Sequence, residues 1–306
     1  MSIPPGNAPS APPLALVFTV CCAGVALFSV MDAAMKGLSL AIGVYNALLW
    51  RALAGTVIGA GAMVALRLPW PGGVALRLHL IRGVVVAFMA FFFFTALTRL
   101  PLAEAIALSF VAPLIALFLA ALLLKEQVGR AAILASVLGL AGVAVILSAR
   151  MRGSYDPGAL LGVGAVLLSA VLFAWNLILQ KQQADVASPV EVAFFQHLVM
   201  LAIFACAAPF LAIVPQVAHL PMVAMAAALA FTSLTCLSWA YARAPANYLI
   251  PVEYTAFIWA AIMGWLAFGE RLTVATVIGA GLIVCGCLVA ARARPAIAAH
   301  VETSIA

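Results

Sequence analysis

The chain nearly repeats itself at half its own length. Ala96, Arg99 and Pro101 return as Ala240, Arg243 and Pro245, and Glu126 and Gly142 return as Glu270 and Gly286, each 144 residues later and each in apolar surroundings. A single internal repeat restricts the fold to one assembled from two homologous halves. The surroundings restrict it further. Hydrophobic residues make up 67% of the chain, charged residues 8%, and the mean hydropathy is +1.24, which would leave a water-soluble domain without a polar surface. Lipid must therefore solvate most of it. At about 20 residues per crossing, 306 residues hold about ten spans with short connections and no separate soluble catalytic domain. A doubled apolar chain of this kind is most economically read as a membrane transporter.

Apolar runs broken by Gly, Pro or charge predict spans at about 14 to 35, 43 to 66, 77 to 98, 102 to 124 and 130 to 149, then 159 to 180, 189 to 213, 220 to 242, 246 to 268 and 273 to 292. Residues 150–158 form the clearest polar interruption, with Arg150, Arg152, Asp156 and Pro157, and separate a first five-helix repeat (14–149) from a second (159–292). Five is odd, so the second repeat enters the membrane from the opposite side and the repeats are inverted. The expected fold is an all-α membrane protein, ten transmembrane helices in two inverted repeats around a central cavity. Residues 1–13 and 293–306 read as disordered tails; the first lacks the positive charge that precedes a signal-peptide core, so Leu14 onward is expected to be a retained span.

Cationic loops stay on the cytoplasmic side. With the N-terminus inside, the inner connections hold Arg67, Arg77, Arg82, Lys125, Arg130, Lys181, Arg243, Arg292 and Arg294, and the outer ones hold Lys36, Arg99, Arg150, Arg152 and Arg271. Both termini are expected to be cytoplasmic, in a bacterial inner membrane. The net charge of +6 is attributed to loop orientation and anionic lipid head groups, not to nucleic acid. Cys21, Cys22, Cys206, Cys236, Cys285 and Cys287 sit in or beside apolar runs without a ligand cluster, so they read as packing or lipid-facing residues, with no metal. Gly55 and Gly59, one turn apart, mark either an internal helix contact or a dimer face.

The order of motifs resembles a known family. Phe28 with Lys36, repeated as Phe173 with Lys181, opens each half; Ala-x-x-Arg-x-Pro follows the third and eighth spans; Lys125-Glu126 and Gly269-Glu270 end the fourth and ninth; a Gly-rich helix closes each half. This is similar to the ten-helix drug/metabolite transporter superfamily, specifically its EamA-type members, over roughly residues 14 to 292. The resemblance implies an inner-membrane carrier with a central cavity, often an exporter of amino acids or other small metabolites, and within the family it points toward the bacterial aromatic amino acid and paraquat exporters.

Charge at membrane depth is costly unless paired or wetted, so intramembrane ionisable groups are candidates for function. Glu253 follows Pro251, Asn247 and Tyr248 in the ninth span and precedes Tyr254; its repeat mate is Ser109. It is either a substrate or proton group, or a helix-end carboxylate at the interface. Asn176 offers donor and acceptor to the ends of an amino acid while Trp175 offers a wall, unless they only join helices; Met31, the mate of Asn176, would be a deformable wall. Arg51 and His197 are repeat mates, preceded by Trp50 and Gln196, and could line the cavity or, for His197, couple transport to protons. Glu126 and Glu270, beside Lys125 and Arg271, look like solvated helix-end charges or ion pairs, with gating as the functional alternative, and Arg99 and Arg243 like anchors at the membrane face. Of Phe91, Phe92, Phe93 and Phe94 only one or two rings can face inward; with Trp239 and Tyr254 they hint at a site for apolar and aromatic side chains.

No nucleotide-binding loop or catalytic elbow is present. The reading is a secondary carrier without cofactor, not an enzyme, exporting amino acids or related solutes by alternating access, as a monomer or homodimer among membrane lipids. Ser109, Asn176 and Glu253 would hold the solute's charges, and Trp175, Trp239 and Tyr254 its side chain. The alternatives are an integral-membrane enzyme on lipid-linked substrates and a membrane sensor or structural protein.

Overall fold

The computed structural model describes residues 13–115, 130–151, 157–244, 249 and 252–292, and among these it contains no strand. Among the described residues ten longer helices carry the architecture: α1 (Leu14–Ile42), α2 (Val44–Ala65), α3 (Gly73–Leu97), α4 (Leu102–Ser109), α5 (Arg130–Met151), α6 (Pro157–Ala184), α7 (Pro189–Ala205), α8 (Leu220–Tyr241), α9 (Ala256–Phe268) and α10 (Val274–Arg292). Helices suit lipid because each satisfies its own backbone polar groups. Five stretches are long and apolar enough to cross a membrane, Leu14–Ile42, Val44–Ala65, Gly73–Leu97, Gly158–Gln180 and Val217–Tyr241, and five shorter apolar helices accompany them. The protein is an all-α membrane protein of two inverted repeats.

Two boundaries differ from expectation for identifiable reasons. α1 runs on to Ile42 and stops where Gly43 takes a φ of 81° and closes its N–H on the Ser39 carbonyl at 3.1 Å. Lys36, assigned from sequence to a connection, therefore lies inside a helix. α7 was expected to reach residue 213 but ends at Ala205; Pro209 has no N–H to return to the Ala205 carbonyl, so the ladder cannot continue. A four-residue helix, Ala208–Leu211, follows.

The fourth and ninth helices are interrupted at repeat-equivalent places. α4 ends at Ser109, turns at Phe110 and Val111, and resumes at Ala112; the second half turns at Tyr254 and Thr255 and resumes with α9 at Ala256. Both turns tighten into bonds three residues apart: Val111 N–H to the Leu108 carbonyl at 3.2 Å, Thr255 N–H to the Val252 carbonyl at 3.0 Å. In α4 the cause is Pro113, which cannot donate to the Ser109 carbonyl. The equivalent position in α9 is Phe257, so proline at that place does not explain the second break.

The helices pack mostly across the repeats. α1 lies along α8 and α3 along α6, α2 crosses α7, α4 crosses α9, and α5 crosses α10. Replacing each helix by its repeat mate turns this set of contacts into itself, which is the signature of a two-fold relation between the halves. The axis-crossing contacts use small residues. On α5 and α10, a Cβ added at Gly142 would stand 2.5 Å from the Gly279 carbonyl, and one at Gly286, the mate of Gly142, would stand 2.6 Å from that of Ala135, the mate of Gly279. Gly55 and Gly59 face His197 and Phe194 of α7, where added Cβ atoms would come within 2.0 and 3.0 Å. That places the Gly55-x-x-x-Gly59 pair at an internal helix contact, where close backbone approach supplies dispersion that lipid would otherwise give.

Gly142→Leu should act as a wedge at the α5–α10 crossing and cost about 1–3 kcal/mol. Thermal unfolding in detergent, followed by size-exclusion chromatography, checks this against Gly281→Leu, whose added side chain meets open space and should leave the melting temperature unchanged.

Candidate functional site

The two helix breaks meet. Phe110 and Tyr254, repeat mates at the turns, contact each other edge to face with ring centroids 5.1 Å apart. Directly before them stand Ser109 and Glu253. Ser109 Oγ donates to the Ala105 carbonyl of its own helix at 2.9 Å, while Glu253 accepts a hydrogen bond from Tyr241 at the end of α8. Glu253 therefore sits between α8 and the break, close to Cys21 of α1. The Phe110 carbonyl at the first break accepts from the Cys287 thiol at 3.2 Å.

A second group lies where α1, α2, α3 and α7 converge. Arg51 is 6% exposed; its guanidinium is 5.6 Å from the centre of the Phe94 ring and 3.6 Å from the Met31 sulfur. Asp32, 4% exposed on α1, interacts electrostatically with it. His197 is buried beside Gly55 and near enough for its ring to feel the Arg51 charge. Its Nδ1 donates to the Ala193 carbonyl at 2.8 Å, leaving Nε2 turned toward α2. The repeat pair Arg51 and His197 is thus brought together across the α2–α7 contact.

A third group is a directional chain. Arg82 of α3 donates through Nε to Asn176 Oδ1 of α6 at 2.9 Å and through a terminal nitrogen to Gln183 Oε1. With its oxygen so occupied, the Gln183 amide nitrogen donates to His79 Nδ1 at 2.5 Å, and His79 Nε2 then carries the proton and donates to Glu191 Oε1 at 2.9 Å. Glu191 also serves locally: Ser188 caps α7 by accepting the Glu191 N–H at 3.3 Å, and Glu191 returns the bond to the Ser188 N–H at 3.4 Å, a capping box readable in Ser188-Pro189-Val190-Glu191. The repeat mates of Arg82 and His79 are Ala226 and Val223, so this network exists in one half only.

At the opposite ends of these helices, Lys36 of α1 pairs with Glu270 and donates to the Leu100 carbonyl at 2.7 Å. Glu270 Oε2 accepts the Leu102 N–H at the start of α4 at 2.7 Å. Gly269 makes this possible: its φ of 64° turns the chain after α9, and the missing side chain of Gly264, where a Cβ would stand 2.7 Å from Oε2, leaves room for the carboxylate. Glu270 was expected to be a helix-end charge beside Arg271. Its partner is instead 234 residues away, because a partly buried carboxylate needs the charge of Lys36 more than an exposed neighbour can supply.

The expected site residues thus divide. Ser109, Glu253 and Tyr254 gather at the breaks, and Arg51 joins His197. Asn176 is engaged by Arg82. Trp175 is 48% exposed: successive helical residues point about 100° apart, so with Asn176 turned onto Arg82 of α3 Trp175 lies on a different, more open face of α6. Trp239 carries Arg243 over its ring at 4.4 Å near the end of α8 and packs on the apolar cluster that includes Val252, beside the second break. Of the four Phe rings, Phe94 is the buried one and faces Arg51. Glu126, Asn247, Tyr248 and Pro251 lie outside the described residues. All six cysteines are free thiols, and no cluster of potential metal ligands occurs among the described residues. Asp32, His79, Arg82 and Gln183 were missed as site candidates. The signal for Asp32 was available, a carboxylate inside an apolar run, the criterion that selected Glu253.

The EamA-like transporter family matches the chain twice, over residues 15–148 and residues 160–292. Among characterised relatives, the pseudopaline exporter CntI of Pseudomonas aeruginosa (strain UCBPP-PA14) is 27% identical over 277 residues, covering 87% of this chain and 93% of its own. The aromatic amino acid exporter YddG of Ancylobacter novellus is 33% identical over 142 residues, 46% of this chain and 47% of its own. A solved crystal structure 23% identical to the chain superposes with a TM-score of 0.58, over 90% of this chain and 96% of that one, and shows the same fold.

Lys36→Met leaves the Glu270 carboxylate partly buried without its cation and should cost about 3–5 kcal/mol. Adding Glu270→Gln should recover a large part of that loss. A double-mutant cycle of detergent-phase unfolding measures the coupling.

Proposed function

The chain belongs to the EamA-like transporter family, and on that premise we propose that it is a secondary carrier of a bacterial inner membrane, both termini cytoplasmic, exporting amino acids or related amphipathic solutes by alternating access. The observation that carries this reading is the pair of helix breaks at Phe110–Val111 and Tyr254–Thr255, repeat-equivalent and in contact. Interrupted helices at a repeat interface expose backbone groups and permit one half to rock against the other, the arrangement by which inverted-repeat carriers bind and release solute. Ser109 and Glu253 flank the breaks and differ chemically, as suits an asymmetric solute. Relatives named as exporters of pseudopaline and of aromatic amino acids support the export of small solutes, amino acids among them.

The two polar clusters at opposite helix ends act as gates in this reading. Opening one side requires parting Lys36 from Glu270, and opening the other requires loosening the chain from Arg82 to Glu191. Each bond crosses between repeats, so neither gate can open without relative motion of the halves.

Uptake of radiolabelled amino acids into proteoliposomes, with and without a pH gradient, tests the reading; no flux for any amino acid would refute it. Glu253→Gln should lower flux at least about tenfold while expression and melting temperature stay near wild type. Cysteines placed at positions 36 and 270 in a cysteine-free background and joined by a bifunctional methanethiosulfonate, which spans the length of the lost side chains, should stop transport, and reduction should restore it.

A further inference from the structure

Asp32 and Arg51 present an unusual combination. Both are more than nine-tenths buried, and their opposite charges interact, yet they stop short of an ion pair; those among the described residues are Lys36–Glu270 and His79–Glu191. Asp32 Oδ1 and Arg51 Nε have no hydrogen-bond partner. The partners Arg51 does have, the Met31 thioether that accepts from one terminal nitrogen and the Phe94 ring face, are weak and hold a guanidinium in place without supplying a single oxygen acceptor. Elsewhere in this molecule the buried cations Lys36 and Arg82 make short, strong contacts to oxygen. Leaving a buried charge imperfectly satisfied costs several kcal/mol, so two such groups, one on α1 beside the Met31 that Arg51 touches and the other on α2, define an incomplete site.

We infer that Asp32 and Arg51 are the two arms of a head-group site for a solute carrying both an ammonium and a carboxylate, that is, an α-amino acid or a compound built from one. The ammonium bonds Asp32 Oδ1, the carboxylate bonds the Arg51 fork, and the zwitterion completes both at once. A singly charged solute satisfies one arm and leaves the other exposed to the full cost of burial. Arg51 suits the carboxylate because its planar fork matches two oxygens, and Phe94 and Met31 fix its direction. The repeat mate of Arg51 is His197, and that of Asp32 is Leu177, so the constellation occurs in one half only, as a single head-group site requires.

This inference rests on the carrier reading and is tested with three solutes of similar size: L-phenylalanine, phenethylamine and 3-phenylpropanoate. Binding to the full chain in nanodiscs and flux into proteoliposomes are measured for each. The wild type should prefer the zwitterion by about tenfold or more over either analogue. Asp32→Asn should abolish the preference over 3-phenylpropanoate and keep that over phenethylamine, and Arg51→Gln should do the reverse. Because a lone buried charge can prevent folding, Asp32→Asn/Arg51→Gln is the companion variant; it should fold by size exclusion and lose both preferences. Selectivity ratios within twofold of wild type in the double variant would overturn the inference while leaving the carrier reading intact, as would wild-type flux of a singly charged solute with none of the zwitterion. A wild type that neither binds nor moves any of the three removes the inference, and failure across the wider amino acid panel removes the carrier reading with it.

Discussion

Charge inside hydrocarbon must find a partner within the protein, and the buried cations Lys36 and Arg82 find theirs in the other repeat. Water is not at hand to solvate them, so each is drawn toward a group on a distant helix. Lys36 reaches the loop after α9, and Arg82 reaches α6. These bonds decide how the halves sit, because the apolar surfaces of helices in lipid offer little preference among alternative packings.

The symmetry and its breaking have separate physical roles. At the α5–α10 crossing the contacts that obey the repeat are made by small residues, Gly142 on Gly279 and Gly286 on Ala135, and Gly55 and Gly59 serve the same purpose where α2 crosses α7. They let backbones approach and make the architecture. Most of the polar side chains depart from the repeat. Arg82 and His79 have apolar mates, Glu253 is matched by Ser109, Asn176 by Met31, and Asp32 by Leu177. A two-fold scaffold can present an asymmetric solute with two different surfaces only through such substitutions, so the chemistry is concentrated where the halves differ.

Legibility followed the range of the interaction. The spans were readable because an apolar run reports lipid contact residue by residue, and the errors fell at helix ends, where Gly43 and Pro209 intervene. Reading connections as water-exposed placed Lys36 outside the membrane helices and entered it, with Arg82 of the third span, in the loop-charge count, although both are buried in polar networks. Glu253 and Arg51 were found because an ionisable residue in a span is conspicuous. Trp175 and Asn176, adjacent in sequence, fall on different faces of α6, which sequence adjacency does not reveal.

By itself the chain of residues determined that the protein is helical, lies in a membrane and is built twice over, since hydropathy and the 144-residue recurrence are properties of residue order alone. Tertiary structure decided which charges meet. Lys36 with Glu270, Arg51 with Asp32 and His197, and Phe110 with Tyr254 are pairings whose members lie on separate helices. Such pairings depend on the rotation and crossing of whole helices, which no local pattern specifies, because every helix in lipid has several apolar faces of nearly equal energy.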